Sequence, residues 1–349
     1  MKIELHKKQY FMITQIICVI NFIFCSGCTQ PGLVKKAHAC LGTIVEITVA
    51  DKDKPRAAIN EAIEEAFAEI RRVEDLLSRF KSDSDISRIN ADAHKRVTKV
   101  SLETISLLEK AILFSQLSDG AFDITVYPLM EIWGFTGNGS KYIPQPEQIT
   151  EVLHSVGYQH IDIIKQEQSV FLGRQRMSLD LGGLAKGYAV DRAIAVLKQK
   201  GIKNVLVVAG GDIYALGMRR KDRKWLVAVQ HPRKKNAVLT TLELQDEAVA
   251  TSGDYQKYIE IKGKRYSHII NPEIGFPCDD VPASATVLAK DCLSADALAT
   301  AIFVLGPEKG IDLVDYLENT EAIVASSWEG GSLDILLSRG LKGRLKFNP

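Results

Sequence analysis

Residues 177–209 read MSLDLGGLAKGYAVDRAIAVLKQKGIKNVLVVA. Met177–Leu181 and Val205–Ala209 predict buried strands, and Gly187–Lys200 between them predicts a helix. Outward from this unit the alternation breaks down. Trp225–Gln230, Leu239–Leu244 and Tyr258–Ile261 read as antiparallel strands, Ser294–Leu305 as a strongly apolar helix, and Ala322–Ser326 as a last strand. Upstream, Thr43–Val49 predicts a strand. Pro55–Leu77 predicts a long amphipathic helix with Ile59, Ile63, Ala66, Phe67, Ile70 and Val73 on one stripe. Asp83–Asn90 reads as a capped turn and short helix, and Ser101–Ser118 as a helix ended by Asp119-Gly120. A Gly- and Pro-rich connection, Trp133–Pro146, divides the first third from the rest. Strands and helices without regular βαβ alternation predict an α+β fold: mixed, largely antiparallel sheets packed with helices in one compact unit.

The chain of 349 residues is 46% hydrophobic and 25% charged, an ordinary globular composition. A net charge of +1 gives no electrostatic case for nucleic-acid binding. Arg219–Lys224 and Arg233–Lys235 read as solvated basic turns. The N-terminus is laid out as a bacterial export signal: Lys2, Lys7 and Lys8, then an uncharged run from Tyr10 to Phe24, then Cys25-Ser26-Gly27-Cys28. The run is short for a membrane span, which takes about 20 apolar residues. Residues 1–27 are expected to be removed, Cys28 to be acylated, and residues 28–40 to be a lipidated tether before a domain over 41–349. A cleaved signal without lipid would keep the same compartment. The expected location is the periplasmic face of the cell envelope. Thr29 favours the outer membrane, because an Asp there would signal inner-membrane retention. Cys40, Cys278 and Cys292 remain after processing, too few for a disulfide framework; one bridge or three buried thiols both fit.

Four stretches could carry chemistry. Asp180-Leu181-Gly182-Gly183-Leu184-Ala185-Lys186-Gly187 lies between strand and helix, where glycines can turn N–H groups toward an anion and Lys186 can add charge. A tight turn with a surface lysine explains the same residues. The stretch is neither a Walker A loop nor a dinucleotide fingerprint. Asp296 and Thr300, spaced i, i+4, share a helix face and offer hard oxygens of the kind magnesium prefers. Alone, they also read as a dipole-facing aspartate and a threonine bonded to its own helix. His268, before Asn271-Pro272, can accept a proton or simply hold structure. Ser118–Thr125, leading to Trp133-Gly134-Phe135, could face a flavin or adenine ring or pack a core.

Taken in order, these blocks resemble the FAD:protein FMN transferase family, the ApbE-type flavin transferase lipoproteins. The likeness runs from Leu41-Gly42-Thr43 through Leu77–Phe80, Gly120–Asp123, Asp180–Gly187, Gly210-Gly211-Asp212, Ala250–Tyr255 and His268–Pro272 to Ala295–Thr300. The resemblance implies FAD contacts at Leu41, Phe80, Ala121, Phe122, Asp123, Asp180, Lys186 and Ile270. Leu41 takes the place usually held by Met, and Phe80 one often held by Tyr, which keeps a ring and loses a hydroxyl. It implies Mg2+ ligation by the Gly183 carbonyl, Asp296 and Thr300. The implied reaction moves FMN from FAD to a Thr or Ser hydroxyl of exported or membrane redox proteins with an Asp-x-x-(Ser/Thr)-Gly-Ala-(Ser/Thr)-like sequence, releasing AMP. His268 is the expected proton acceptor, with Asp296 as the alternative. Two other activities fit the same residues: an Mg2+-dependent FAD pyrophosphatase giving FMN and AMP, and a flavin carrier without turnover.

Overall fold

Two residues of positive φ, Leu41 (56°) and Gly42 (68°), turn β1 (Val34–Cys40) back along β2 (Thr43–Val49). Positive φ at both central positions is what a two-residue hairpin asks of its loop, and Gly42 meets it without steric cost. The computed structural model describes residues 33–136, 142–278, 282–327, 332–343 and 345. The expected signal, Cys28 and residues 137–141 of the Gly- and Pro-rich connection lie outside the described residues. The expected tether over 28–40 is corrected in its second half: residues 34–40 pair with β2 along their whole length. β1 has one strand neighbour, and such an edge tolerates Lys35 and Lys36.

After β2 come α1 (Arg56–Leu77), α2 (Asp85–Asp92), β3 (Thr98–Lys99), α3 (Leu102–Leu117), α4 (Tyr127–Ile132) and α5 (Pro146–Leu153). β4 (Ile161–Ile164) and β5 (Ser169–Leu172) precede α6 (Ala185–Gln199), β6 (Val205–Ala209) and β7 (Asp212–Leu216). A β-rich stretch holds β8 (Trp225–Gln230), β9 (Val238–Leu244), β10 (Glu247–Gly253), β11 (Tyr258–Ile261), β12 (Lys264–Ser267) and β13 (Ser284–Ala289). α7 (Cys292–Leu305), α8 (Pro307–Tyr316), β14 (Glu321–Ser327) and β15 (Leu333–Leu337) complete the described elements.

The main sheet has eight strands in the order β1-β2-β6-β7-β10-β13-β14-β15, every pair antiparallel. One face is covered by helices. α1 presents the predicted stripe, Ile59, Ile63, Ala66, Phe67, Ile70 and Val73, all buried. α7 is apolar on every side because it lies between the sheet and α6, α3 and α8, so its pattern shows no amphipathic period. Each large side chain fully buried there is worth about 1.5–3 kcal/mol of transfer free energy. The other face is covered by the β8–β9 hairpin, whose Trp225, Val227, Val229, Leu239, Leu242 and Leu244 pack on Ala215, Val249, Leu288 and Ile323. A third cluster around Trp133, Leu129, Ile149, Tyr266 and Ile270 forms a small lobe.

One predicted strand is absent. Met177–Leu181 is irregular, although Met177, Leu179 and Leu181 are buried. Asp180 N donates to the Ile124 carbonyl at 2.7 Å, and at Leu179 the pairing partner is a side chain. The Asn90 amide accepts from Leu179 N at 2.7 Å and donates to Leu179 O at 2.9 Å, as a neighbouring strand would. Cys40, Cys278 and Cys292 are thiols without a disulfide.

Candidate functional site

The loop Asp180–Gly187 is shaped by its own first residue. Asp180 Oδ1 accepts from Gly182 N at 2.6 Å, and a β-carbon at residue 182 would lie 2.7 Å from that oxygen. Asp180 Oδ2 pairs with Arg79 Nε at 2.5 Å, both side chains largely buried. The Arg79 guanidinium lies 4.1 Å from the centre of the Phe80 ring and 4.7 Å from that of Tyr127. Phe80 itself is 75% exposed, an apolar ring held at the surface beside a charged loop. Gly183 is wedged between side chains: a β-carbon there would stand 3.1 Å from the Phe122 ring and 3.3 Å from Thr300 Oγ1.

α6 starts at Ala185 without a side-chain cap of its own. Asp296, from α7, supplies one by accepting from Gly187 N at 3.1 Å. The service is returned. Asp191 of α6 accepts from Cys292 N at 2.8 Å and Leu293 N at 2.9 Å at the start of α7. The two helix starts therefore cap each other, and they approach so closely that a β-carbon at Gly187 would fall 2.3 Å from the Cys292 carbonyl oxygen. Burial pushes the Asp191 carboxyl up to about 7.

At this junction the Lys186 ammonium bridges two buried carboxylates. It is 2.5 Å from Asp212 Oδ2, and 3.3 and 3.2 Å from the two oxygens of Asp296. Burial and the nearby Asp296 charge push Asp212 up to about 7, while both acids raise Lys186 against its own burial. The result is a cation fixed among acids at a helix start, where the Gly187 N–H shares Asp296 with it. One turn along α7, Thr300 Oγ1 lies 3.3 Å from Ser252 Oγ of β10. Asp212 opens β7 just after Gly210-Gly211, so the tight β6–β7 turn places the second acid.

His268 follows β12. Its Nδ1 is 3.0 Å from the Lys257 carbonyl oxygen, which also accepts from His268 N at 3.2 Å. A carbonyl can only accept, so Nδ1 carries the proton and Nε2 presents a lone pair. Burial and the Lys257 charge push the ring down to about 4, so it is neutral through the physiological range. Lys257 is itself pushed down, by burial and by Lys186.

The family model described as the ApbE family matches residues 41–324. An FAD:protein FMN transferase of Escherichia coli K12 is 33% identical over 314 residues, covering 86% of this chain and 89% of the relative. One of Vibrio cholerae is 32% identical over 309 residues, 86% and 90% of the two chains. Among solved structures, the flavin transferase ApbE of Vibrio cholerae superposes with a TM-score of 0.78 at 29% identity, over 89% of this chain and 98% of that one. The ApbE protein of Thermotoga maritima gives 0.79 at 34% identity with the same coverage. The chain belongs to the ApbE family.

Within this ApbE fold the expected site residues fall into three groups. Lys186, Asp296, Thr300, Gly183 and Phe122 meet around one junction. Asp180 and Phe80 meet through Arg79, and His268 lies within the electrostatic reach of Lys186 and Asp180. The remainder stand apart. Leu41 sits on the strained hairpin turn, and Ala121 beside the buried Phe122. Ile270 is buried in the small lobe, bridged by its backbone to Pro277. Asp123 is committed internally, accepting from Thr125 N, Thr125 Oγ1 and Tyr158 N at 2.7–2.9 Å.

Arg79, Asp212 and Ser252 fall within the blocks of family resemblance without a role assigned to them there, and sequence reasoning missed Asp191 and Lys257. For Asp212 the signal was present, since Gly210-Gly211 marks a turn that must stop at a fixed residue. For the others the positions become meaningful only when distant strands and helices meet. A hard divalent cation fits the oxygen donors here: the Asp296 carboxylate, the Thr300 hydroxyl and the adjoining Gly183 carbonyl. Among the described residues no group of three or more His, Cys, Asp or Glu side chains could hold a metal, so such a site must draw on backbone and hydroxyl oxygens.

Proposed function

We propose that this chain transfers the FMN half of FAD onto a threonine or serine hydroxyl of other proteins and releases AMP. The observation that carries the reading is the buried Asp212–Lys186–Asp296 cluster beside the Asp180–Gly187 turn. A cation among acids at a helix start suits a pyrophosphate, whose negative charge grows on the leaving group during transfer. The names of the relatives support the same donor and the same transferred group.

In the proposed step the acceptor hydroxyl oxygen forms a bond to the FMN-side phosphorus. The bond from that phosphorus to the bridging oxygen breaks, and AMP leaves with it. The hydroxyl proton passes to Nε2 of His268, whose Nδ1 is tied to the Lys257 carbonyl. A bound pyrophosphate would oppose the push that keeps the ring's proton affinity low. Mg2+, held by Asp296, Thr300 and the Gly183 carbonyl, supplies further charge neutralisation on the phosphates when bound. Phe80, 75% exposed beside Arg79, offers an apolar ring near Asp180, and the buried Phe122 packs beneath Gly183. The acceptors are redox proteins carrying an Asp-x-x-(Ser/Thr)-Gly-Ala-(Ser/Thr)-like sequence. The enzyme works as an exported lipoprotein acylated at Cys28, on the periplasmic face.

The test is incubation with FAD, Mg2+ and a tagged acceptor bearing that sequence. The expected result is an Mg2+-dependent fluorescent acceptor band on a denaturing gel with matching AMP release. Free FMN and AMP without a band, where an established transferase labels the same acceptor, would overturn transfer in favour of hydrolysis. FAD retained with neither product would leave a carrier. Asp296→Ala is expected to abolish turnover while some FAD binding survives. Mass analysis of the N-terminal peptide from cells tests acylation separately.

A further inference from the structure

The two basic turns seen in the sequence sit at opposite ends of the main sheet. Strand register fixes this. Val34 pairs with Val49, Val49 with Val205, and Val205 with Leu216, one row across four adjacent strands. Cys40 with Thr43, and Ala209 with Asp212, belong to the other end, where the site lies. The turn holding Arg233 reaches that site end, since Arg233 Nη1 bonds Asp254 at 2.7 Å, just past β10. Arg219–Lys224, following β7, lies at the end where the chain enters the fold at Leu33.

That entry end is built to present positive charge. Between Leu216 and Trp225 there are five basic residues and one acid, Asp222, and Arg220, Lys221, Arg223 and Lys224 are exposed. A backbone bridge between Arg220 and Arg223 holds the turn as a tight projection.

We propose that this end of the sheet is a docking surface for an anionic bilayer, with the Arg220–Lys224 turn as its contact. The inference rests on acylation at Cys28. Four residues separate Cys28 from Leu33, and the five steps between them reach at most about 18 Å. Val34 and Leu216 are three strand spacings apart, about 14 Å. An acyl anchor therefore brings the turn within range of the headgroups, where each basic side chain strengthens binding by roughly fivefold. The site, at the far end of strands β1 and β7, then faces away from the lipid toward incoming acceptors.

The test uses chain beginning at residue 28 with Cys28→Ser, which retains every described residue, and vesicles of phosphatidylcholine alone or with about one-third phosphatidylglycerol at a salt of about 0.1 M, where charges still act over a Debye length of about 10 Å. Sedimentation with the anionic vesicles only is expected. Reversing Arg220, Lys221, Arg223 and Lys224 to Glu should weaken it by at least about tenfold, given the fivefold per residue above. Reversing Lys234 and Lys235 at the other end should change it by less than about twofold by the same reasoning. Equal binding to both vesicle types, no loss in the first variant, or equal loss in both would overturn the proposal. In acylated full-length chain on anionic vesicles, trypsin cleavage within 219–224 should be suppressed relative to neutral vesicles, and equal cleavage would overturn it. FMN transfer to a soluble acceptor is assayed alongside: its absence from the unsubstituted chain would sink the functional reading and leave the surface standing. Missing acyl mass on Cys28 would overturn the proposal, because the tether is what brings the turn to the lipid.

Discussion

Helix α6 carries two ion clusters, and they are built on opposite principles. Around Arg192 and Tyr188, at the surface, Arg72 grips Glu69 and Glu103 with four contacts of 2.7–2.9 Å, and Arg192 adds a fifth at 2.8 Å. There the arginines hold Glu69 down to about 2. Six residues before Arg192, the buried Lys186 cluster leaves Asp212 pushed up to about 7. The signs differ because burial outweighs pairing in one case and not in the other. A depressed Glu69 adds stability above its ordinary value near 4.5, which is lost as pH falls toward about 2. A raised Asp212 does the reverse, its contribution falling away as pH climbs from about 4 to about 7. One cluster ties α1, α3 and α6 together. The other joins the starts of α6, α7 and β7.

Removing the cation should separate the two most sharply. Lys186→Met leaves two buried acids facing each other and is expected to cost about 3–5 kcal/mol in denaturant unfolding at pH 8, with transfer lost by two or more orders of magnitude, the order seen when a charge-stabilising donor is removed. A loss below about 1 kcal/mol would mean that the buried set behaves like a surface pair. Gly187→Ala tests the junction beneath it. Its methyl would meet backbone at Cys292 rather than a movable side chain, so a loss of about 2–4 kcal/mol is expected by calorimetry. Arg72→Ala should cost no more than about 1 kcal/mol and leave transfer unchanged, because exposed pairs are screened. The smallest effect is on pH response. With His268 neutral down to about 4, kcat/KM should lack the fall through about 6.5 that an ordinary histidine would produce, and any change centred near 7 should follow Asp212 instead.

Parts of this contrast were legible in the sequence. The α1 stripe and the all-apolar α7 follow from periodicity and composition, and both formed within a few residues of expectation. Asp180, Lys186, Asp296 and Thr300 stood out through spacing. The cross-capping by Asp191 did not, because a carboxylate in mid-helix looks solvent-bound until a second helix start is laid against it. Arg79 was equally silent, since its partner Asp180 is a hundred residues away. β1 was mistaken for tether because Lys35 and Lys36 mask a strand whose outer edge is open to water.

The pairing of Asn90 with Leu179 has a bearing on how the protein ages. Both bonds need an amide, one end accepting and the other donating. Hydrolysis of that side chain to a carboxylate alters a single heavy atom, yet it puts an acceptor against the Leu179 carbonyl where a donor had been. The bond to the Leu179 carbonyl would be lost and that to Leu179 N kept, loosening one side of the segment that leads into Asp180. A stored sample would thus loosen the approach to the Asp180–Gly187 turn while every helix and sheet remained in place.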